Sequence, residues 1–437
     1  MSPLRTATVP DSLATVPDSL ATALVRAREE ACLTQGELAE RSGLSVRAIR
    51  NLETGHTARP RRQSLLLLAE ALGLPSREAG RLFRLPRTGS PPAPPEVSVP
   101  AELPAAPRHR LVGRGALVAD LTAHLARPGP GQGRPAVVVG PPGAGKTALV
   151  LRAAHEVRGR FPDGQVFVDL PPAPSLPVTS DMLVRRILRS LGDAPAAQNP
   201  EEARARLRDA LSRRRVLVVL DNVDSETQVR PLLVDDGRSA VLVAARRELS
   251  ALPDRFGRRV GTLDRQDGYR MLADLVGTAR TRGERTAALA VVEACAGLPL
   301  AVHIAGLWLT ARPHRRIGEL ADRLADEGDR LRSLHIGDLS LSASVAACYR
   351  LLPPPLRASL HQLQPVGGGF GIDQMVSRVT PSRRLAVDLL EELLHRQMVQ
   401  AGEPDRHGRI RYRLYDAVRL YVAHGAAPPR SRSLHCL

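Results

Sequence analysis

Lys146 is the single lysine in a chain of 437 residues, and the other 61 of its 62 basic side chains are arginine. It sits in Gly140-Pro141-Pro142-Gly143-Ala144-Gly145-Lys146-Thr147, after the apolar run AVVV at 136–139 and before the helix-patterned ALVLRAAHEV. This is the G-x-x-x-x-G-K-[ST] spacing in the setting it requires, a strand before and a helix after. Gly140 opens the turn, and Gly143, Ala144 and Gly145 let backbone N–H groups close around phosphate. The helix N-terminus adds its positive dipole end, and the Lys146 ammonium bridges the outer phosphates. Thr147 supplies a hydroxyl to Mg²⁺. A forked guanidinium does not replace a compact ammonium in so narrow a loop, which accounts for the retained lysine. The chemistry expected is binding of ATP or ADP with Mg²⁺.

Such a loop needs a metal-holding acid at the end of a neighbouring strand, and the run VLVVL at 216–220 delivers Asp221 there. Lys146 and Asp221 are therefore the candidate catalytic pair, with Thr147 and Asp221 as the metal ligands. Asn222 follows, and an amide cannot take a proton as a carboxylate base does, so at most slow hydrolysis is expected. One strand later Arg246 follows VLVAA and either senses the terminal phosphate or is a surface cation beside Arg247.

Positioning these groups falls to alternating elements. Continuous apolar runs at 136–139, 166–170, 216–220 and 240–244, separated by helical stretches, indicate a parallel sheet covered on both faces. From 263 to 340 the pattern is purely helical, and 341–422 reads as helices closed by a strand-like RIRYRLY at 409–415. Ahead of the sheet, Pro86–Arg110 has eight prolines in 25 residues and reads as a spacer. In polyproline II form it could span roughly 75 Å. Residues 7–21 hold a duplicated heptad, ATVPDSL, whose prolines forbid a continuous helix. The domains expected are a disordered leader (1–19), an all-α domain (20–86), the proline-rich linker (87–110), an α/β P-loop domain (111–261), a helical domain (262–338), a domain of helices closed by a strand (339–424) and a flexible tail (425–437). Cys32, Cys295, Cys348 and Cys436 show no metal spacing, and no apolar run approaches the ~20 residues of a membrane span. A reduced, cytoplasmic protein without a membrane partner is expected.

In the N-terminal domain, Gln35–Arg41 forms a short helix, Ser42-Gly43-Leu44 the turn, and Ser45 caps a second helix through Glu53. With Ala39, Leu44, Ile49 and Leu52 inward, Val46, Arg47, Arg50 and Asn51 fall near the exposed face that would enter the major groove, Ser45 at its start. Arg47 and Arg50 offer bidentate donors to guanine or single contacts to phosphate, and Gln35 a phosphate or base contact. Between Arg41 and Arg62 six arginines stand against one acid, Glu53, as phosphate neutralisation requires. The partner expected is double-stranded DNA; with 11 aromatic residues in the chain, a stacking platform for single strands is not.

Leu24–Leu85 resembles the Cro/repressor-type (XRE-like) helix-turn-helix. Residues 111–422 resemble the NB-ARC module of STAND-class signalling ATPases, in the bacterial subgroup that begins with a helix-turn-helix. The matching motifs run in order: LVGR at 111–114, the phosphate loop, FPDGQVFVDL at 161–170, LVVLDN at 217–222, VLVAARR at 241–247, GLPLAV at 297–302 and RLYDAVRLYV at 413–422. By that resemblance Arg114 contacts the base or ribose, Pro299 closes over the nucleotide, and Arg246 is the first sensor. Tyr415 stands where the family usually has a histidine on the β-phosphate of ADP. The resemblance implies a helix-turn-helix DNA-binding domain at 20–86, a winged-helix-like domain at 339–424, and a nucleotide-gated transcriptional regulator, closed with ADP and self-associating with ATP, driven by an unidentified ligand or sensor protein. A signalling ATPase or scaffold that binds proteins rather than DNA, or a shortened relative lacking its sensor repeats, is the alternative.

Overall fold

The computed structural model describes residues 20–31, 33–54, 62–74, 99–107, 110–127, 134–170, 178–193, 199–234, 238–366 and 369–425. The duplicated heptad through residue 19, Cys32, Arg59, Arg61, Cys436 and most of the proline-rich segment lie outside them. The chain divides into two compact units, Met1–Glu96 and Val97–Leu437.

The first unit holds α1 (Leu20–Glu30), α2 (Gln35–Ser42), α3 (Val46–Glu53) and α4 (Arg62–Ala71). A capping box starts α2: the Thr34 hydroxyl accepts from the Glu37 N–H, and the Glu37 carboxylate accepts from the Thr34 N–H. Gly43, left-handed at φ 69°, ends it, and the Ser45 side chain caps α3 by accepting from the Ala48 N–H at 3.2 Å. Leu24, Leu38, Ile49, Leu52, Leu65 and Leu68 form the core.

In the second unit β1 (Ala136–Val139), β2 (Gln165–Asp169), β3 (Leu217–Val223), β4 (Ala240–Ala245) and β5 (Phe256–Arg259) make one sheet, in the order β2-β3-β4-β1-β5. Every pairing is parallel. The four valine- and leucine-rich strands fall where the apolar runs predict them. β5 does not follow from such a run: its sequence FGRR alternates half-buried and exposed, as an edge strand should. Separate apolar cores cover the two faces, one around Val166, Ile187 and Leu207, the other around Leu121, Leu149 and Phe161.

Residues 99–107 correct the spacer reading. Ala101 forms a parallel bridge with Gln165, whose N–H donates to the Pro100 carbonyl at 2.6 Å and whose carbonyl accepts from the Glu102 N–H at 2.9 Å. The Glu102 carboxylate pairs with Arg186 at 3.0 Å, and His155 Nε2 lies 2.7 Å from the Pro104 carbonyl. Proline tolerates the outer edge of a sheet because no ladder N–H is needed there, so this extended stretch lies beside β2 as part of the second unit.

Residues 265–422 enclose a single continuous core running from Tyr269 and Leu272 through Leu309 and Leu341 to Phe370 and Val418. The helical stretch is interrupted by the short antiparallel pair His335–Ile336 and Leu339–Ser340, an exception to its purely helical pattern. Ile410–Leu414 is a strand as expected, and it pairs antiparallel with Val399–Pro404, which the sequence pattern did not mark.

Candidate functional site

β1 runs into the glycine loop and then into the helix Lys146–Val157. Gly143 and Gly145 sit at φ 80° and 86°, a region that side chains with a Cβ rarely adopt, so the turn depends on glycine at both. Lys146 bends back over the loop, its Nζ donating to the carbonyls of Gly140 at 2.8 Å and Pro141 at 3.0 Å. Burial lowers its pKa, opposed by the nearby Cys348 and Asp221.

Asp221 is buried at 4% exposure, and the Thr147 hydroxyl and the Asn222 N–H both donate to its carboxylate. Burial nevertheless pushes the Asp221 pKa up, because two neutral donors do not replace full hydration. A buried carboxylate sharing its site with a hydroxyl is the donor set a hard divalent cation takes up, with substrate oxygens and water completing the shell. Among the described residues, no three His, Cys, Asp or Glu converge to hold a metal on their own.

Register does the rest. Asp169 is the lateral partner of Asp221 in the β2–β3 pairing, so both acids reach the same sheet edge. Asn222 between them is left-handed at φ 63°, in an irregularity of the β3–β4 register. Its Nδ2 donates to Asp169 Oδ1 at 2.7 Å, and its Oδ1 accepts from Arg246 Nε at 3.3 Å. Arg246 is buried and also donates through Nη2 to the Leu170 carbonyl at 3.2 Å.

Two later segments close onto the loop. The helix Pro299–Thr310 puts the Leu300 N–H 3.1 Å from the Gly143 carbonyl, with Pro299 against Gly145. The helix Leu341–Tyr349 rests the Leu341 side chain on Gly143 and brings Cys348 near Lys146. Beyond β4, the Glu248 N–H donates to the His395 carbonyl at 2.8 Å.

Lys146, Thr147, Asp221, Arg246 and Pro299 are thus brought together. Arg114 joins them at the same sheet edge: its guanidinium donates to the Gly261 carbonyl, just past the C-terminal end of β5, and burial lowers its pKa against the pull of Asp267. Tyr415 lines a pocket of about 540 Å³ with Thr262, Leu298, Phe370, Asp416 and Arg419, whose lining includes none of residues 140–147, and it lies within electrostatic reach of Arg259, the register partner of Val139. Asp416 accepts from Arg419 at 2.7 Å, and Arg419 in turn bonds both carboxylate oxygens of Glu327 at 2.7 and 2.8 Å. Asp169, Leu300 and Leu341 are the residues that sequence reasoning did not single out. For Asp169 the available signal was that FPDGQVFVDL, like LVVLD, is an apolar strand ending in aspartate.

In the first unit Ser45, Val46 and Arg50 are exposed and Asn51 is half-buried, while the Arg47 side chain lies outside what is described. Gln35 is turned inward: its Nε2 donates to Glu53 Oε2 at 2.7 Å, beside Arg28 Nε on Glu53 Oε1 at 2.7 Å. Glu53 is therefore held inside the unit by Arg28 and Gln35.

Residues 110–330, just over half of the chain, match the family model described as AAA ATPase domain. The chain belongs to the AAA ATPase domain family. Residues 24–78 match the helix-turn-helix model. The regulatory protein AfsR of Streptomyces griseus is 35% identical over 372 residues, covering 82% of this chain and 37% of that protein. AfsR of Streptomyces coelicolor is 36% identical over 334 residues, covering 74% of this chain and 33% of that protein. The chain thus spans about a third of the length of these relatives. Among solved structures, a Walker-type ATPase of Pyrococcus abyssi covers 73% of this chain and 97% of its own, at 15% identity and TM-score 0.49. A STAND protein with a tetratricopeptide repeat sensor from Pyrococcus horikoshii covers 77% of this chain and 45% of its own, at 15% identity and TM-score 0.34. The AAA ATPase fold implies nucleotide binding, and no helix among the described residues is long and apolar enough to cross a membrane.

Proposed function

We propose that this AAA ATPase chain is a nucleotide-gated, DNA-binding transcriptional regulator of the STAND/NB-ARC type. The observation that carries the reading is the hydrogen bond from the Leu300 N–H to the Gly143 carbonyl, with Leu341 on the same glycine. The loop suited to phosphate is also the surface on which the helical and winged-helix segments rest. A nucleotide entering that loop must interact differently with the closed and opened arrangements, and that difference is what shifts a population.

In this reading the backbone of Gly140, Gly143, Ala144 and Gly145 holds ATP or ADP, and Lys146 exchanges its two loop carbonyls for phosphate oxygens. Thr147 and Asp221 would hold Mg²⁺, which neutralises phosphate charge when bound. Arg246 faces the terminal phosphate from β4, Arg114 serves the base or ribose, and Pro299 covers the nucleotide. Tyr415 reports closure from the adjoining pocket. The divisions proposed are 111–261, 262–338 and 339–424, with ADP favouring the closed form and ATP a self-associating one.

The helix-turn-helix match and the relatives called regulatory proteins support DNA as the output. Ser45, Val46, Arg47, Arg50 and Asn51 would face the major groove, with Gln35 bracing the fold through Glu53. One such unit covers a half-site, so pairing two chains links two weak binding events and raises operator affinity. A cytoplasmic location and an input from a separate ligand or sensor protein complete the proposal.

Selection of bound duplexes from a random pool tests it, run with ADP, with a non-hydrolysable ATP analogue, and with Lys146→Ala. A sequence enriched more strongly with the ATP analogue, and lost in the variant's response, is expected. Enrichment independent of nucleotide refutes gating. Absence of any enriched sequence favours the protein-binding scaffold.

A further inference from the structure

The residue after Asp221 is an amide, so the expected position of a proton-accepting carboxylate is held by Asn222. The sheet register supplies one from next door. Asp169 ends β2 directly beside Asp221, is exposed at the sheet edge, and accepts from Asn222 Nδ2 at 2.7 Å. The same Asn222 accepts from Arg246, so one amide fixes Asp169 relative to the arginine that would face the terminal phosphate. Asp224, the other nearby acid, is buried, which raises its pKa, with Arg396, Arg246, Arg247 and Glu392 around it, whereas Asp169 is open to solvent.

We infer that Asp169 is the general base for nucleotide hydrolysis, with Asn222 as the positioning residue that aims it. This rests on the nucleotide-binding reading above. In the step, the oxygen of a water forms a bond to the terminal phosphorus while one of its protons passes to the Asp169 carboxylate. The bond from that phosphorus to the bridging oxygen breaks, its electron pair leaving on the diphosphate, and the exposed Asp169 returns the proton to solvent. Nothing is oxidised or reduced. The left-handed Asn222 suits the role, because asparagine and aspartate are the side-chain-bearing residues that enter this region most readily. It also makes an exchange possible: aspartate at 222 can occupy the same backbone, and asparagine at 169 can donate to it.

The test uses the full chain with ATP and Mg²⁺, measuring affinity by calorimetry, single-turnover phosphate release, and the ratio of ATP to ADP recovered from the protein. Asp169→Asn should bind ATP within about twofold of the parent yet release phosphate about 100-fold more slowly or worse, the usual range for a lost general base. It should therefore be recovered loaded with ATP where the parent carries ADP. The exchange variant, Asp169→Asn with Asn222→Asp, should regain about tenfold over Asp169→Asn, a rescue that general damage to the site would not permit. Release by Asp169→Asn at the parent rate overturns the inference, as does a parent that binds ATP without hydrolysing it. A parent that binds no nucleotide overturns the binding reading itself and this inference with it.

Discussion

Replacing Glu53 with alanine is expected to unfold most of the helix-turn-helix unit. The Glu53 side chain is 5% exposed and its partner Arg28 15%. Its carboxylate accepts from Arg28 Nε at 2.7 Å, Arg28 Nη2 at 3.3 Å and Gln35 Nε2 at 2.7 Å, joining α1, α2 and the end of α3. Alanine leaves the Arg28 guanidinium uncompensated, with the Leu33 carbonyl at 2.9 Å as a remaining acceptor. Removing one partner of a buried pair typically costs about 3–5 kcal/mol. A unit of this size sits near the low end of the ~5–15 kcal/mol range of domain stabilities, so the loss approaches the whole. Glu53→Gln keeps the shape and one acceptor, and should lose about 1–2 kcal/mol. Urea unfolding of residues 20–86, followed by far-ultraviolet circular dichroism, gives both values. A loss below about 1 kcal/mol for Glu53→Ala would refute the reasoning, placing the pair with ordinary surface ion pairs. DNA affinity should fall in step with the folded fraction, since α3 carries Val46 and Arg50.

Lys146→Ala should abolish tight Mg-nucleotide binding in a calorimetric titration while leaving the melting profile of the nucleotide-free protein intact; unchanged affinity would remove the phosphate-site assignment. Asp221→Asn should stabilise the nucleotide-free protein at neutral pH and lose the Mg²⁺-dependent part of binding. The sign follows from burial raising the folded pKa of Asp221: the stability tied to its proton is present below the unfolded value and lost as pH rises through the folded one. The gain in melting temperature should therefore shrink towards zero below pH ~4, where both states become protonated; a constant gain across pH would show that charge burial is not its origin. Arg50→Ala should weaken duplex binding by about 1–3 kcal/mol and relax preference at one position if it reads a base, or lower the salt slope by about one if it contacts phosphate. Because none of residues 140–147 lines the pocket that holds Tyr415, Tyr415→Phe should change the ADP off-rate by less than about twofold, roughly 0.4 kcal/mol, well under the value of a hydrogen bond to a charged group. A tenfold change in a stopped-flow release measurement would put its hydroxyl on the nucleotide.

What could be seen in advance depended on how far away the deciding partner lay. β1, β3 and β4 announce themselves because burial on both faces demands uninterrupted apolar runs, and the phosphate loop because its glycines, lysine and threonine are local to one turn. β5 is silent: an edge strand facing water needs no apolar run, and FGRR carries none. Val399–Pro404 is silent for a related reason, since its exposed Gln400 and Glu403 answer to solvent and its pairing to Ile410–Leu414. The segment 99–107 departs from the spacer expectation because proline-rich composition suits a free spacer and an edge-laid strand equally. What separates them is Gln165 and Arg186, remote in sequence and meeting it across the sheet edge. Leu300 and Leu341 are ordinary core residues by type, and only tertiary closure turns them towards Gly143. Asp169 is the sharpest case. An aspartate after a strand reads as a solvated turn until the β2–β3 register sets it beside Asp221, and Asn222 then links it to Arg246. The motif at 217–222, taken as a line of text, argues against a base at this edge; folded into the sheet, the missing carboxylate arrives from the adjacent strand.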